Sequence, residues 1–445
     1  MNTKTSKAAD WLQAHFELSH GGKKSIQAME GLRGLAVLMV FFAHYVVLMQ
    51  PWVNSQSWTC SIGGILGNLG HAGVDLFFVM SGYLIYAAVI GRERPIIPFL
   101  KGRVTRIYPT FLVVFSLYLG LSLAFPNESK FPMQSGAALI YTLQNLVFMP
   151  GMFDIEPLIV VTWSLSYEIA YYIAMPVLVA VLAMRRWTPQ RRLRFFLGVT
   201  AVGFTYYCFT HGHIRMLMFV SGVLVYEVQK QKLFQPRSGS GLIALGIAVA
   251  VMILIKVLCL GGWWRYLSLF VLFGYLCLDC FSAQGLTSRV FSWAPLRWFG
   301  NMSFSYYLFH GLCLKATVFF LAQISPGTGS ENHMFWLMML PAFAIAVVGS
   351  AGLFLFVERP MSLFATSPKF GEPRTVIGIP NDGSLATVAW RLFVPAFAAS
   401  KVTGRVVFNP HGLRLVTPFL QQLVAALIPL GLISISVLMT VALIN

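Results

Sequence analysis

The sequence predicts an all-α polytopic membrane protein. Three observations lead to this prediction: 57% of the 445 residues are hydrophobic, only 11% are charged, and the apolar residues fall into many long runs. About a quarter of the residues in a soluble domain are charged, so the shortage indicates a lipid environment. Each run has about 20 residues, which is the length of helix that crosses a bilayer once.

We expect eleven spans, each an apolar run bounded by polar or charged residues. The first ten form a helical bundle that ends at the sequence VERP, residues 357–360, and the eleventh follows a polar stretch. The predicted spans are 31–50, 72–91, 107–126, 160–184, 195–212, 214–230, 241–260, 266–283, 299–323, 335–357 and 418–443.

The positions of the basic residues predict the orientation. With the N-terminus in the cytoplasm, 27 of the 32 Lys and Arg residues lie on the inner side, as the positive-inside rule requires. The net charge of +17 is therefore a topology signal, and we expect no nucleic-acid partner. Residues 136–150 are apolar but short, and counting them as a crossing would place the basic run 185–194 outside. We interpret them as a re-entrant or interfacial helix on the outer side.

These assignments divide the chain into four parts. The N-terminal part lacks the apolar core of a cleavable signal peptide, so it is interpreted as a cytoplasmic tail. The segment after the bundle is rich in Pro, Gly and polar residues at its start and is predicted to be a cytoplasmic connector. The parts are a tail (1–28), a membrane domain (29–360), a connector (361–417) and a C-terminal transmembrane helix (418–445).

The first span, MEGLRGLAVLMVFFAHYVVLM, retains Arg33 and His44. Eleven residues at ~100° each make about three full turns, so both side chains lie on one helix face, separated by ~16 Å along the axis. Arg33, at the cytoplasmic end, is either a snorkelling anchor or a binding residue. His44 lies near the bilayer midplane, where ionisable groups face a bundle interior or a wet cavity. It is either a general base or a hydrogen-bonded interior residue.

The start of the second span, GHAGVDLFFVMSGYLI (70–85), contains Asp75 a few residues inside the predicted outer end. This carboxylate either orients a histidine or a substrate hydroxyl, or is a helix-start residue stabilised by the helix dipole. Ser81 and Gly82, further along, allow close packing of neighbouring helices.

The predicted inner loop KGRVTRIYP (101–109) places Arg103 and Arg106 three residues apart, on one face if the segment is helical. Clustered arginines suit bidentate recognition of phosphate groups. The alternative is that they set the topology and bind anionic membrane lipids.

Two further ionisable residues lie inside predicted spans. Glu168 follows Trp163 and Ser164 in the fourth span, and His310 lies about ten residues into the ninth. Together with His44 they reach a similar depth from three helices, which predicts a polar core. Six cysteines are present, but no spacing predicts a metal site or a disulfide framework.

At these motifs the sequence resembles the acyltransferase-3 family of integral membrane acyltransferases, the polysaccharide O-acetyltransferase type. The motifs occur in the family's order and at compatible spacing across residues 29–360, and the family has about ten spanning helices, as expected here. The matching pieces are Arg33 and His44 at their eleven-residue spacing, GVDLFFVMSGYLI (73–85), RVTRIYP (103–109), WSLSYE (163–168), SFSYYLFH (303–310) and ERP (358–360).

The resemblance implies that an acyl group, usually acetyl from cytoplasmic acetyl-CoA, is passed to a glycan hydroxyl outside or within the membrane. His44 matches the family's essential histidine and Arg33 its partner arginine. Arg103 and Arg106 match an inner pair that holds the CoA phosphates, and Glu168 matches an acidic position. A pantetheine arm of roughly 15–20 Å is comparable to the ~16 Å rise from Arg33 to His44.

The family pattern says less about Asp75 and His310, which stay candidate catalytic residues. We expect Glu168 or His310 to orient the base or to polarise the thioester carbonyl. Some relatives carry a periplasmic hydrolase-like domain after an eleventh span, so a separate extracytoplasmic transferase is a candidate partner here. We expect the protein in the bacterial inner (plasma) membrane.

The alternative function is a proton-coupled transporter or a carrier of a glycan or lipid-linked substrate. Many spans with intramembrane His, Glu and Asp also fit such a protein. Carriers commonly have paired halves with broken helices, and this sequence shows no internal repeat. A cluster of arginines at one inner mouth, aligned with a midplane base, favours the acyltransferase. The sequence identifies neither the acceptor nor the length of the acyl group.

Overall fold

A computed structural model provides the fold of the membrane domain. It describes residues 3–18, 24–91, 95–126, 129–132, 134–210, 213–260, 262–282 and 285–363. The predicted eleventh span and all but the first three residues of the predicted connector lie outside these ranges.

The described residues are predominantly α-helical, as the sequence predicted. The last helix continues into a π-helical segment, Phe354–Leu363. The α-helices are α1 (Thr3–Phe16), α2 (Lys24–Leu48), α3 (Trp58–Ile90), α4 (Ile96–Ala124), α5 (Ser135–Leu146), α6 (Thr162–Val181), α7 (Pro189–Thr210), α8 (Leu217–Lys230), α9 (Ser240–Val257), α10 (Gly262–Phe281), α11 (Leu286–Phe291), α12 (Ala294–Asn301), α13 (Ser303–Ile324) and α14 (Asn332–Leu353).

Eight helical segments in the described ranges are long and apolar enough to cross a membrane, which confirms the all-α membrane fold. Two more predicted spans, 195–212 and 214–230, coincide with α7 and α8. Helix α7 begins with a basic run, and α8 has only 14 residues. Crossings by these two helices, and the direction of the N-terminus, stay predictions. The eight segments are Gln27–Leu48, Trp58–Ile90, Ile96–Ala124, Thr162–Val181, Ser240–Val257, Gly262–Phe281, Ser303–Ile324 and Asn332–Leu363.

Helix α3 begins about four turns earlier than the sequence predicted. Ser57 caps its start, since the hydroxyl accepts a hydrogen bond from the Cys60 backbone N–H at 3.2 Å. The glycines before residue 72 lower helix propensity, but they let α3 pack directly against α2: a Cβ on Gly70 would lie 2.4 Å from the Ala43 nitrogen. Asp75 is therefore in the middle of a helix, and the helix-start interpretation of this residue is wrong.

Residues 101–109 are not a loop but belong to α4, as the helical alternative required, and their position on the inner side stays a prediction. Pro109 lies inside the helix, where a proline removes one backbone hydrogen bond but does not have to end a long apolar helix. As a result Arg103 and Arg106 are helical neighbours three residues apart, and their side chains lie on one face.

The apolar core near the histidines is formed by α2, α13 and α14. Phe41 and Tyr45 of α2 pack against Tyr306 of α13 and Phe335 of α14, all almost fully buried. The Tyr45 hydroxyl donates to the Phe335 backbone carbonyl, which satisfies a polar group inside this core. The core holds α2 and α13 in a fixed relative position.

Helix α5 is the counterpart of the predicted outer segment 136–150. Its 12 residues extend over ~18 Å, well short of the ~30 Å hydrocarbon core. The Asn145 side chain caps the following loop by accepting a hydrogen bond from the Leu158 N–H at 2.8 Å. A helix of this length does not cross the membrane, in agreement with the sequence interpretation.

The N-terminal tail contains more structure than the sequence predicted. Helix α1 packs onto the bundle end through Phe16, which is buried and stacks on Phe354 at 5.6 Å between ring centroids. Asn301 donates to the Phe16 carbonyl at 2.9 Å, and Arg359 donates to the Ala14 carbonyl at 2.8 Å. These contacts join the first helix to the end of the last one.

Replacing Gly82 with alanine is expected to destabilise the bundle. A Cβ at this position would lie 2.0 Å from the Phe219 carbonyl oxygen on α8, so the two helices would have to separate. Overpacking of this kind costs about 1–3 kcal/mol. Gly120→Ala in α4 is the matched control, because its Cβ would meet no atom within 4 Å. Thermal unfolding in detergent should show a lower midpoint for Gly82→Ala only; equal midpoints would contradict the close contact.

Candidate functional site

A cavity lies between α2, α3, α4, α6 and α13 and brings together four of the seven predicted site residues. Arg33, Arg103, Arg106 and Glu168 all line it. Its volume is about 100 Å³, enough for a few water-sized groups or a narrow chain but not for a nucleotide. The other lining residues are Val74, Phe77, Phe78, Met80, Ser81, Leu84, Ile85, Ile107, Ser164, Leu165, Tyr172, Ser303, Phe304 and Tyr307.

The arginines approach the cavity from two helices. Arg33 comes from α2, while the helical spacing on α4 directs both Arg103 and Arg106 to the same wall. The Arg103 guanidinium carbon lies 5.1 Å from the Tyr172 ring centroid, so an aromatic face of α6 supports it. The three arginines, from α2 and α4, together form one cationic side of the cavity, which we call the arginine wall.

Glu168 faces these arginines from α6. Its carboxylate accepts hydrogen bonds from the Ser81 hydroxyl at 2.9 Å and from the Tyr172 hydroxyl. Arg33 interacts electrostatically with Glu168. Two hydroxyl donors and a nearby guanidinium fix the carboxylate in one orientation, as expected for an acid in a low-dielectric site.

A second carboxylate, Glu358, belongs to the same electrostatic cluster. It is 2% exposed and accepts hydrogen bonds from the backbone N–H of Ser305 at 3.0 Å and from its hydroxyl. Arg33 and Arg106 both interact with it electrostatically. In the sequence, Glu358 stands out only as part of the ERP motif (358–360). The sequence signal that could have identified Glu358 as a site residue is its position, as a charged residue at the end of a long apolar segment.

His44 and His310 form a pair beside this cavity. Their ring centroids are 5.0 Å apart, with the planes at 61°. The predicted depth of the two histidines therefore agrees with the packing of α2 against α13. Neither ring lines the cavity, but Tyr307 does, and it lies only one helical turn before His310, ~4.5 Å along the axis.

The surroundings of the two histidines differ. His310 is fully buried, and its Nδ1 lies 2.7 Å from the Tyr306 carbonyl oxygen. Because a carbonyl only accepts, Nδ1 carries the proton and Nε2 is left as an acceptor with no hydrogen bond from the described residues. The Tyr306 ring stacks on the imidazole at 4.9 Å and fixes its plane. In the described part of the chain, His44 makes no side-chain hydrogen bond and keeps both nitrogens available.

Asp75 is not in this cavity. It is fully buried in α3, and its carboxylate oxygens lie 3.7 Å from Arg215 Nε and 3.9 Å from Arg265 Nη2. Both arginines belong to the minority of basic residues outside the predicted inner side. Their pairing with Asp75 depends on the packing of three sequence-distant segments.

All six cysteines lie among the described residues and are free thiols. Cys277 and Cys280 are buried free thiols in α10, as expected for packing residues. Among the residues that the structure describes, no three His, Cys, Asp or Glu side chains approach closely enough to hold a metal ion.

The described residues thus form a helical membrane bundle with an arginine-lined cavity and a nearby histidine pair as its candidate site. Residues 26–355 match the family model described as an acyltransferase domain, and the chain belongs to the acyltransferase-3 family. This result confirms the family resemblance drawn from the motifs. No solved structure matches the chain significantly.

Named relatives are similar over different shares of the chain. O-acetyltransferase OatA of Staphylococcus aureus is 28% identical over 192 residues, which are 40% of this chain and 29% of the relative. Exopolysaccharide production protein ExoZ of Rhizobium meliloti is 27% identical, over 66% of this chain and 90% of the relative. Peptidoglycan O-acetyltransferase OatA of Listeria monocytogenes is 24% identical, over 76% of this chain and 56% of the relative. The chain thus spans under a third of the Staphylococcus relative.

Proposed function

We propose that this protein is a membrane O-acyltransferase that moves an acyl group, normally acetyl, from cytoplasmic acyl-CoA to a hydroxyl of a cell-surface or exported glycan. The observation that carries the proposal is the cavity that joins Arg33, Arg103 and Arg106 to Glu168 beside the histidine pair. Family membership and the names of the relatives support this class of reaction.

The arginine wall is assigned to the donor. Coenzyme A carries several phosphate groups, and guanidinium groups bind phosphate through paired charge-assisted hydrogen bonds. The cavity is too small for the nucleotide, so the phosphates bind at its arginine mouth and only the narrow pantetheine arm enters. The three arginines carry three positive charges and the carboxylates of Glu168 and Glu358 two negative ones. One positive charge is therefore left to bind the phosphates of the donor.

His44 is assigned as the general base. It takes the proton from the acceptor hydroxyl as that oxygen attacks the thioester carbonyl carbon. The carbon–sulfur bond then breaks, and the departing CoA thiolate receives the proton from His44. The products are the glycan ester and free CoA, and His44 returns to its starting state.

His310 is assigned as a positioning residue for His44. Its Nδ1 is held by the Tyr306 carbonyl, so its free Nε2 is the available acceptor for an N–H of the neighbouring imidazole. A hydrogen bond of this type selects the His44 tautomer and fixes its ring. The second nitrogen of His44 then faces the acceptor hydroxyl as a base.

Glu168 is assigned to the arginine side of the site. An ionised carboxylate only accepts hydrogen bonds, so it does not stabilise the negative oxygen that develops on the thioester carbonyl. Its two hydroxyl donors and the nearby Arg33 guanidinium indicate that it orients the arginine wall.

The proposal is tested by following CoA release from acetyl-CoA by the full-length protein in nanodiscs, with and without a crude glycan pool. We expect acetyl-CoA to bind and CoA to be released faster when the glycan is present. Adding acetyl-CoA to only one face of oriented vesicles tests the cytoplasmic entry of the donor. A protein that neither binds nor consumes any acyl-CoA would instead be the transporter or carrier.

Replacing His310 with alanine is expected to lower kcat by about 10–100-fold, because His44 loses the partner that fixes its ring. The KM for acetyl-CoA should not change, since His310 does not touch the arginine wall. Tyr306→Phe is the matched control: it keeps the ring stacked on His310 and removes a hydroxyl that makes no hydrogen bond among the described residues. Steady-state kinetics would argue against a positioning role if both variants lost activity equally.

A further inference from the structure

A second basic cluster lies around Asp75 of α3, whose side chain does not line the cavity. It consists of Arg215 and Arg265 around Asp75, with side-chain exposures of 15% and 14% for the arginines and 0% for the carboxylate. Arg265 is held by Asn68, to whose side-chain oxygen it donates at 3.0 Å. Arg215 donates to the Tyr266 hydroxyl at 3.3 Å. The positive-inside assignment places both arginines on the outer side.

The charges in this cluster do not balance. Two guanidinium groups face one carboxylate, at distances too long for hydrogen bonds. Both Asp75 oxygens, Arg215 Nη1 and Arg265 Nε make no hydrogen bond with the described residues, although all four atoms are buried. Buried charged groups normally have partners, because an unpaired one loses its hydration without compensation. The two arginines share one carboxylate, and their N–H groups without a hydrogen bond remain available for another anion.

Aromatic rings surround the two guanidinium groups. The Trp163 ring centroid lies 5.1 Å from the Arg215 guanidinium carbon, and the Tyr266 ring lies 5.6 Å from that of Arg265. A site that combines flat apolar faces with fixed cationic donors suits a ligand that is itself partly apolar and carries an anionic group. A sugar ring bearing a carboxylate has this combination.

Helices connect this cluster to the cavity. On α3, Asp75 directly follows the cavity residue Val74 and lies two residues before another, Phe77, which is ~3 Å along the axis. On α6, Trp163 contacts Arg215 and the next residue, Ser164, lines the cavity. An acceptor bound at the arginines is therefore within a short distance of the proposed site of transfer.

We infer that Arg215 and Arg265 bind the carboxylate of an acidic sugar in the acceptor glycan. The inference rests on the proposed function in naming the ligand as the acceptor. The cluster then determines specificity: it selects glycans with an acidic sugar next to the hydroxyl that receives the acyl group.

The test measures binding rather than turnover. The full-length protein in nanodiscs of neutral lipid is titrated with a glucuronate-containing oligosaccharide and with the same oligosaccharide after reduction of its carboxyl groups. We expect the wild type to bind the acidic form about tenfold or more tightly, with a preference that weakens as salt is added. Arg215→Gln and Arg265→Gln should each remove most of this preference.

Two further variants separate the ligand role from a structural one. Arg191→Gln is the matched control, because it removes one positive charge from an exposed arginine that lies over Trp187. Asp75→Asn removes the competing carboxylate and should bind the acidic oligosaccharide several-fold more tightly. A variant with a damaged fold would not bind the acidic oligosaccharide more tightly than the wild type.

The outcomes distinguish this inference from the proposed function. Acidic binding that depends on Arg215 and Arg265, without acetyl-CoA turnover, would leave the inference in place and remove the acyltransferase. Equal binding of the acidic and reduced oligosaccharides would overturn the inference. A second result would also overturn it: a polyprenyl phosphate added to the nanodisc binds at the arginines, and the protein shows no preference for the acidic sugar. The bound anion would then be the phosphate of a lipid carrier.

Discussion

Replacing His44 with glutamine is expected to reduce acyl transfer by a factor of about 10²–10⁴, the usual contribution of a positioned general base. Glutamine keeps a polar side chain of similar size against His310 but does not accept a proton at neutral pH. Because the arginine wall is unchanged, the affinity for acetyl-CoA should be that of the wild type. Single-turnover acyl transfer and donor binding, both measured in nanodiscs, separate these two effects.

His333→Gln is the matched control for this experiment. His333 is exposed near the start of α14, so its loss should affect neither transfer nor donor binding. Transfer by His44→Gln within twofold of the wild type would exclude His44 as the base. A parallel loss of transfer and of acetyl-CoA binding would instead assign His44 to the donor site.

Replacing Arg103 and Arg106 together with alanine is expected to raise the KM for acetyl-CoA by roughly 100-fold or more. Each arginine supplies hydrogen bonds to a charged group, which contribute about 1.5–3 kcal/mol apiece. The kcat at saturating donor should change little, since neither residue contacts the histidine pair. Lys101→Ala, an exposed cation on the same helix, is the control for the loss of charge.

A truncated donor makes this prediction specific. Acetyl-pantetheine has the thioester but none of the phosphates. The wild type should therefore use acetyl-pantetheine as poorly as the double variant uses acetyl-CoA. If the double variant lost as much activity toward acetyl-pantetheine as toward acetyl-CoA, the arginines would not be phosphate ligands. They would then be structural parts of α4.

Residues whose position follows from helix periodicity were predictable from the sequence. Arg33 and His44 share a face because α2 is one uninterrupted helix, and Arg103 and Arg106 share a face on α4. The depth of His310 follows from its distance to the start of α13. In each case the position depends only on the local helix.

Features that depend on contacts between helices were not predictable in the same way. Asp75 was expected near a helix end because the predicted span began at residue 72, whereas α3 begins at Trp58 and uses its glycines to pack against α2. Its partners Arg215 and Arg265 belong to segments about 140 and 190 residues away in sequence. Glu358 was missed because its partners Ser305 and Arg106 come from other helices.

The contact between α1 and the end of the last helix has a consequence for the order of folding. Phe16 and Ala14 pack on Phe354 and Arg359, which leave the ribosome ~340 residues later. At 5–20 residues per second, α1 waits roughly 20–70 s before these partners exist. Helix α1 is therefore synthesised long before these partners, and its apolar face is available to chaperones or the membrane surface until they emerge.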